Sequence, residues 1–143
     1  MPATESHIPV FEKTLQTTHQ WLRELERILH LRDQSEAYAV LRGVLHALRD
    51  RLIPDEAVDL GAQLPMLIRG FYYEGWKPNA TPTRQRHLEG FLDAIPRLSP
   101  DVGGPEAAVR AVFGLLGQRI TDGEVEDIRN MLPEEVRKLW PEI

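Results

Sequence analysis

Sliding this sequence along itself by 68 positions without a gap lays residues 36–72 over residues 104–140, and ten of the 37 aligned pairs are identical. Unrelated stretches of that length would share about two. The identities are Ala39/Ala107, Arg42/Arg110, Val44/Val112, Leu48/Leu116, Arg51/Arg119, Glu56/Glu124, Asp59/Asp127, Leu64/Leu132, Pro65/Pro133 and Arg69/Arg137. Trp21-Leu22 also falls on Phe91-Leu92 once two residues are dropped from the first loop. The chain therefore reads as one small unit used twice, at about residues 8–76 and 83–141. A linker of turn-forming residues at about 74–82 (Gly75, Pro78, Asn79, Pro82) joins the copies.

The unit is helical. Phe11, Leu15, Leu22, Leu25 and Leu29 recur at helical spacing, which predicts a first helix burying one stripe. A second helix is expected after Ser35, a good N-cap, with Leu41, Val44, Leu45, Leu48 and Leu52 inward. Pro54 opens a third, with Asp55 and Glu56 where the helix dipole favours negative charge, and Pro65 opens a short fourth running to about Tyr73. In the second copy an amphipathic segment (Leu88, Phe91, Leu92, Ile95) precedes a break at 96–104, after which helices follow Pro105, Thr121 and Pro133. The expected fold is all-α: one domain over residues 1–143, a compact bundle of about eight helices from two pseudo-symmetric tandem units.

Residues kept in both copies serve the unit's own fold more readily than a unique site. The shared arginines and carboxylates are accordingly expected to form structural ion pairs, Arg42 with Asp59 or Glu56 and Arg110 with Asp127 or Glu124. Glu124 is also expected to complete a capping box from Thr121. The stripe of Arg42, His46 and Arg49, interrupted by Asp50, reads as a solvated helix face.

A unique site belongs where the copies differ. Tyr38, Val58, Met66 and Leu67 stand where the second copy carries Glu106, Glu126, Glu134 and Glu135. Burial against the first helix or the other unit is the expectation for these four, and an external partner or ligand is the alternative. The run Phe71 to Trp76 holds four of the chain's ten aromatic residues, and only Tyr72 has an aromatic counterpart, Trp140. Tyr73 and Trp76 either pin the linker or present a contact surface; the expectation is a contact surface, because both combine apolar area with a polar tip.

Composition narrows the functions. The net charge of −5 disfavours sequence-independent binding to nucleic acid or to an anionic membrane. The lack of cysteine rules out disulfides and thiolate sites and suits a cytoplasmic location. Met1 to Val10 shows no leader pattern, and no segment reaches the roughly 18 apolar residues of a membrane span. The five histidines (His7, His19, His30, His46, His87) and three serines form no nucleophile elbow, phosphate loop or dimetal motif. His19, Glu26 and His30 share helical spacing but read as solvated side chains, so no metal or cofactor is expected.

Ala37-Tyr38, Leu41-Arg42, Val44-Leu45-His46, Leu48-Arg49-Asp50-Arg51-Leu52, Gln63-Leu64-Pro65, Arg69-Gly70 and Tyr73-Glu74-Gly75-Trp76 together resemble the domain of unknown function 2267 family. The likeness continues through Gly123-Glu124 and Leu132-Pro133 to Leu139-Trp140. It implies a helical protein of bacterial origin and supplies no activity, substrate or catalytic residue. The expected function is a non-catalytic protein-interaction or regulatory module with Met66, Leu67, Tyr73 and Trp76 as its contact surface, working through a protein partner or self-association. The alternative is a carrier or sensor of a small apolar ligand held between the two units by the same four side chains.

Overall fold

A computed structural model describes residues 8–98 and 102–141. Residues 1–7, 99–101 and 142–143 lie outside it, and with them most of the stretch read for a leader, His7 and the middle of the break at 96–104. The described residues form eight α-helices and no strand: α1 (Pro9–Leu29), α2 (Gln34–Arg49), α3 (Pro54–Gln63), α4 (Met66–Tyr73), α5 (Leu88–Leu92), α6 (Pro105–Arg119), α7 (Asp122–Met131) and α8 (Glu134–Arg137). None is long and apolar enough to cross a membrane.

Local chemistry sets the boundaries. Proline occupies the first turn of α1, α3 and α6, where its missing N–H leaves no bond unmade. Helix α2 begins two residues earlier than Ser35 suggests, because the Asp33 carboxylate accepts the Glu36 N–H at 2.9 Å. Helices α3 and α7 are each ten residues long and end the same way. Leu64 (φ −87°, ψ 145°) and Leu132 (φ −80°, ψ 145°) turn extended, and the following proline starts the next helix.

Arg69 and Arg137, 68 positions apart, complete these corners: their guanidiniums donate to the Leu64 carbonyl at 2.8 Å and the Leu132 carbonyl at 3.1 Å. Arg69 also reaches the Gly61 carbonyl at 2.8 Å. The orphan carbonyls at a helix end are thus satisfied by a side chain from the helix that follows.

One apolar core runs through both halves. Ala57, Leu60, Leu64, Ile68 and Tyr72 are buried in the first half, as are Val125, Ile128, Leu132, Val136 and Trp140 at the same offset in the second. The 21-residue α1, about 31 Å long, packs against α2, α4 and α6. Its counterpart α5 has only five residues, so α6 takes much of its cover from α1.

Two polar devices tie the halves together. The Arg86 guanidinium donates to the Arg51 carbonyl (3.1 Å) and to the Met131 carbonyl (2.7 Å), holding the ends of α2 and α7. Gln63 at the end of α3 accepts the Thr121 N–H at 2.8 Å and donates to its hydroxyl at 3.1 Å. The expected capping box at Thr121 is consequently only half made. Thr121 Oγ1 accepts the Glu124 N–H at 3.2 Å, but Gln63 occupies the amide that the Glu124 carboxylate would have taken.

Candidate contact surface

The stripe on α1 is buried only along its C-terminal half. Trp21, Leu22, Leu25 and Leu29 are covered, whereas Phe11 and Leu15 remain 46% and 44% exposed. Among the described residues only the start of α4 meets the helix beyond Thr18, and it leaves these two side chains open, so the expected continuous buried stripe stops at Thr18.

Beside this overhang lies the N-terminus of α4, where Met66 and Leu67 are 47% and 40% exposed. With no acidic residue in its first turn, α4 takes its cap from α1: the Leu67 N–H donates to Thr14 Oγ1 at 2.9 Å. Tyr38 on α2 is also exposed and meets the buried Phe71 ring edge-on, with centroids 5.1 Å apart. An open groove of about 480 Å³ follows from these placements. Leu15, Leu22, Tyr38, Leu67 and Phe71 make it apolar, Gly70 leaves its wall low, and Thr18, His19 and Glu74 stand at the rim.

The rim is already hydrogen-bonded within the chain. Thr18 Oγ1 donates to the Thr14 carbonyl (2.7 Å), His19 Nδ1 lies 2.6 Å from Gln34 Oε1, and Glu74 pairs with Arg42 at 3.6 Å. The groove therefore offers shape and apolar area rather than unmet polar groups. His19, Glu26 and His30 do not form a set: His30 leaves the helix in the left-handed region (φ 55°) as its cap.

The expected burial of Tyr38, Val58, Met66 and Leu67 is corrected: all four are exposed, Val58 at 48%. The residues 68 positions on are charged where the groove is apolar. Glu106, Glu135 and Lys138 stand for Tyr38, Leu67 and Gly70, and Lys138 faces Glu134 at 4.0 Å. Glu135 instead accepts the Leu88 N–H at 3.2 Å, at the start of α5.

Tyr73 and Trp76 are placed differently from Met66 and Leu67. Both are half-buried against the core, their rings 5.5 Å apart and tilted by 37°. The Tyr73 ring lies over Gly61, where any larger residue would collide with it, and the Trp76 indole nitrogen is buried. Burial raises the Tyr73 hydroxyl above its ordinary pKa.

The charged residues depart further from expectation. Arg42 pairs with Glu74 and not with Asp59, because the C-terminal end of α4 packs on α2. Among the described residues no carboxylate lies within ion-pair distance of the exposed Arg110, so its pairing with Asp127 is absent. Asp59 and Asp127 are exposed; Asp59 stands beside Glu56 and Glu124 at the seam between α3 and α7.

The stripe read as solvated is a cap. Arg49, only 4% exposed, donates to the Tyr72 carbonyl (2.7 Å) and the Glu74 carbonyl (2.9 Å) and pairs with Asp50. His46 Nε2 lies 2.6 Å from the Phe71 carbonyl, and burial pushes its pKa below the ordinary value. The second half has Gly114 and Gly117 in their places, and a cavity of about 320 Å³ lined by Phe113 and Trp140 opens there. That pair of glycines was the sequence signal for a capping role that periodicity missed.

These features define a class: an all-helical bundle with an apolar groove on one half and a charged surface at the corresponding place on the other. The chain belongs to the DUF2267 family, described as an uncharacterized conserved protein, whose model matches residues 18–139. No curated relative matches the chain.

Proposed function

We propose that this protein is a tandem duplication that serves as a non-catalytic interaction module in the bacterial cytoplasm, and that the groove of α1, α2 and α4 is its contact surface. The contiguous exposure of Leu15, Tyr38 and Leu67 above buried Leu22 and Phe71 carries the reading. Apolar groups in such numbers around one open groove mark binding surfaces on soluble chains. The groove lies among three helices and suits the apolar face of an amphipathic helix, which anchors at spacings of three and four. Met66, next to Leu67, and Phe11, one turn before Leu15, are exposed as well.

The second half supplies the test. Tyr38→Glu and Leu67→Glu install the residues that stand at the matching positions there, Glu106 and Glu135. Both sites are exposed, so stability should stay within about 1 kcal/mol of the parent. Co-purification of a protein partner from native lysate, or self-association in sedimentation, should be lost in the double variant. Unchanged capture or self-association by a folded double variant overturns the reading. The groove's volume of about 480 Å³ also suits a small apolar ligand. That second reading predicts a co-purifying small molecule, lost in the same variant with no change in partner protein.

A further inference from the structure

We propose that Glu56, Asp59 and Glu124 form a binding site for one divalent cation of the hard, oxygen-preferring class at the seam between α3 and α7. A carboxylate oxygen from each lies within 4.8 Å of the others. Oxygens bound to one Ca²⁺ at about 2.3–2.6 Å stand at most roughly 5 Å apart, so a single ion can reach all three.

The surroundings of these acids leave them without compensation. Glu56 and Glu124 are 8% and 7% exposed, and Glu56 Oε1 and Glu124 Oε2 are sealed from water without a hydrogen-bond partner. No Lys, Arg or His among the described residues pairs with any of the three. Buried carboxylates without a counter-charge are strongly unfavourable, so a positive charge belongs here.

A proton shared by the two glutamates would relieve part of this: burial first, then a hydrogen bond to the Glu56 carboxyl and the charges of Glu56, Asp59 and Asp127, hold the Glu124 carboxyl up at about 8. A shared proton, however, leaves Asp59 as a third negative charge with nothing to oppose it. A cation uses Asp59 as a ligand, and its exposure gives the ion a way in from solvent. The cap at Thr121 points the same way: Gln63 takes the Thr121 amide, so the Glu124 carboxylate meets Glu56 and Asp59 and not its own helix end.

Oxygen ligands without imidazole or thiolate select Mg²⁺, Mn²⁺ or Ca²⁺ over zinc, with water completing the shell. Glu56 and Asp59 lie one turn apart on α3 and Glu124 on α7, so the ion would pin the two helices together.

The test is calorimetric titration of the chelator-treated full chain with each of the three ions at neutral pH. One ion should bind per chain and raise the melting temperature. Asp59→Asn, an exposed change that leaves the core alone, should weaken binding at least ten-fold, since even outer-shell partners are worth about 10–100-fold. The pair Glu56→Gln and Glu124→Gln, whose amides can bond to each other, should abolish it. Absence of heat and of any melting shift with all three ions at about 1 mM in folded protein overturns the site, because oxygen sites of this kind reach at least that affinity. Binding of equal strength in the parent and in Asp59→Asn also overturns it, showing an adventitious ion on the acidic surface. Groove variants should bind the ion normally, so the two proposals fail separately.

Discussion

The arginines show most plainly how much a single side chain's role depends on what the fold brings near it. Arg49 and Arg110 both belong to helices that repeat at the same offset, yet one is buried over two carbonyls and the other is exposed. Arg49→Met keeps the aliphatic stem and removes the donors, leaving the Tyr72 and Glu74 carbonyls unpaired. Urea unfolding should register a loss of about 2–4 kcal/mol, from two charge-assisted bonds. Arg110→Met should fall within about 0.5 kcal/mol of the parent. Equal effects would mean that the capping geometry carries no stability. His46 adds a pH dependence. Burial holds its native pKa below the ordinary 6.5, with Arg42 and Arg49 acting in the same direction and Asp50 and the Phe71 carbonyl against it. The unfolded chain therefore binds the proton more readily, and stability present above pH 6.5 is lost as pH falls. His46→Gln, which still can donate to the Phe71 carbonyl, should flatten the slope between about pH 7 and 5, at most about 1.4 kcal/mol per unit. An unaltered slope would assign it to other groups.

At the scale of the element, prolines and caps made the helices legible to within a turn, while their partners were not legible at all. Pro54, Pro105 and the two Leu-Pro corners mark backbone conformations that no other residue type favours as strongly, so they can be read locally. The stripe on α1 was equally clear as a pattern, but periodicity reports an amphipathic helix and not how far its cover extends. Phe11 and Leu15 are exposed for that reason. The glutamates that stand 68 positions on from Tyr38, Val58, Met66 and Leu67 set those positions apart in the sequence, although whether they were covered depended on tertiary packing. Glu56 and Glu124 were assigned arginine partners, and instead they meet each other. Both lie at the same place of helices that pack on each other, α3 and α7, so their meeting depends on tertiary packing that no local pattern reports. At the corner of α4, Tyr73 and Trp76 pack inward, so Trp76→Ala should lower stability by about 2 kcal/mol, roughly half the loss of a fully buried ring. Full retention of stability, measured by thermal and urea unfolding, would return the corner to the contact surface.

At the scale of the whole molecule, the unequal first helices decide how the halves depend on each other. A chain made of two self-sufficient units would unfold in two steps, each losing its own core. Here α1 lies against α2 and also against α6, while the five-residue α5 is too short to cover its own half. Leu25, fully buried on α1, belongs to the core that runs through both halves. Leu25→Ala should remove about 2–5 kcal/mol, the usual range for a truncated core leucine whose cavity closes only partly. The more telling measurement is where protection against amide hydrogen exchange falls. Under conditions in which exchange proceeds by global opening, the slowest amides of α6 should lose as much protection as those of α2, because both depend on the same buried helix. Protection that falls in α2 and stays unchanged in α6 would show that the second half is held by its own contacts. The shared core would then be an accident of proximity and not the basis of a single cooperative unit.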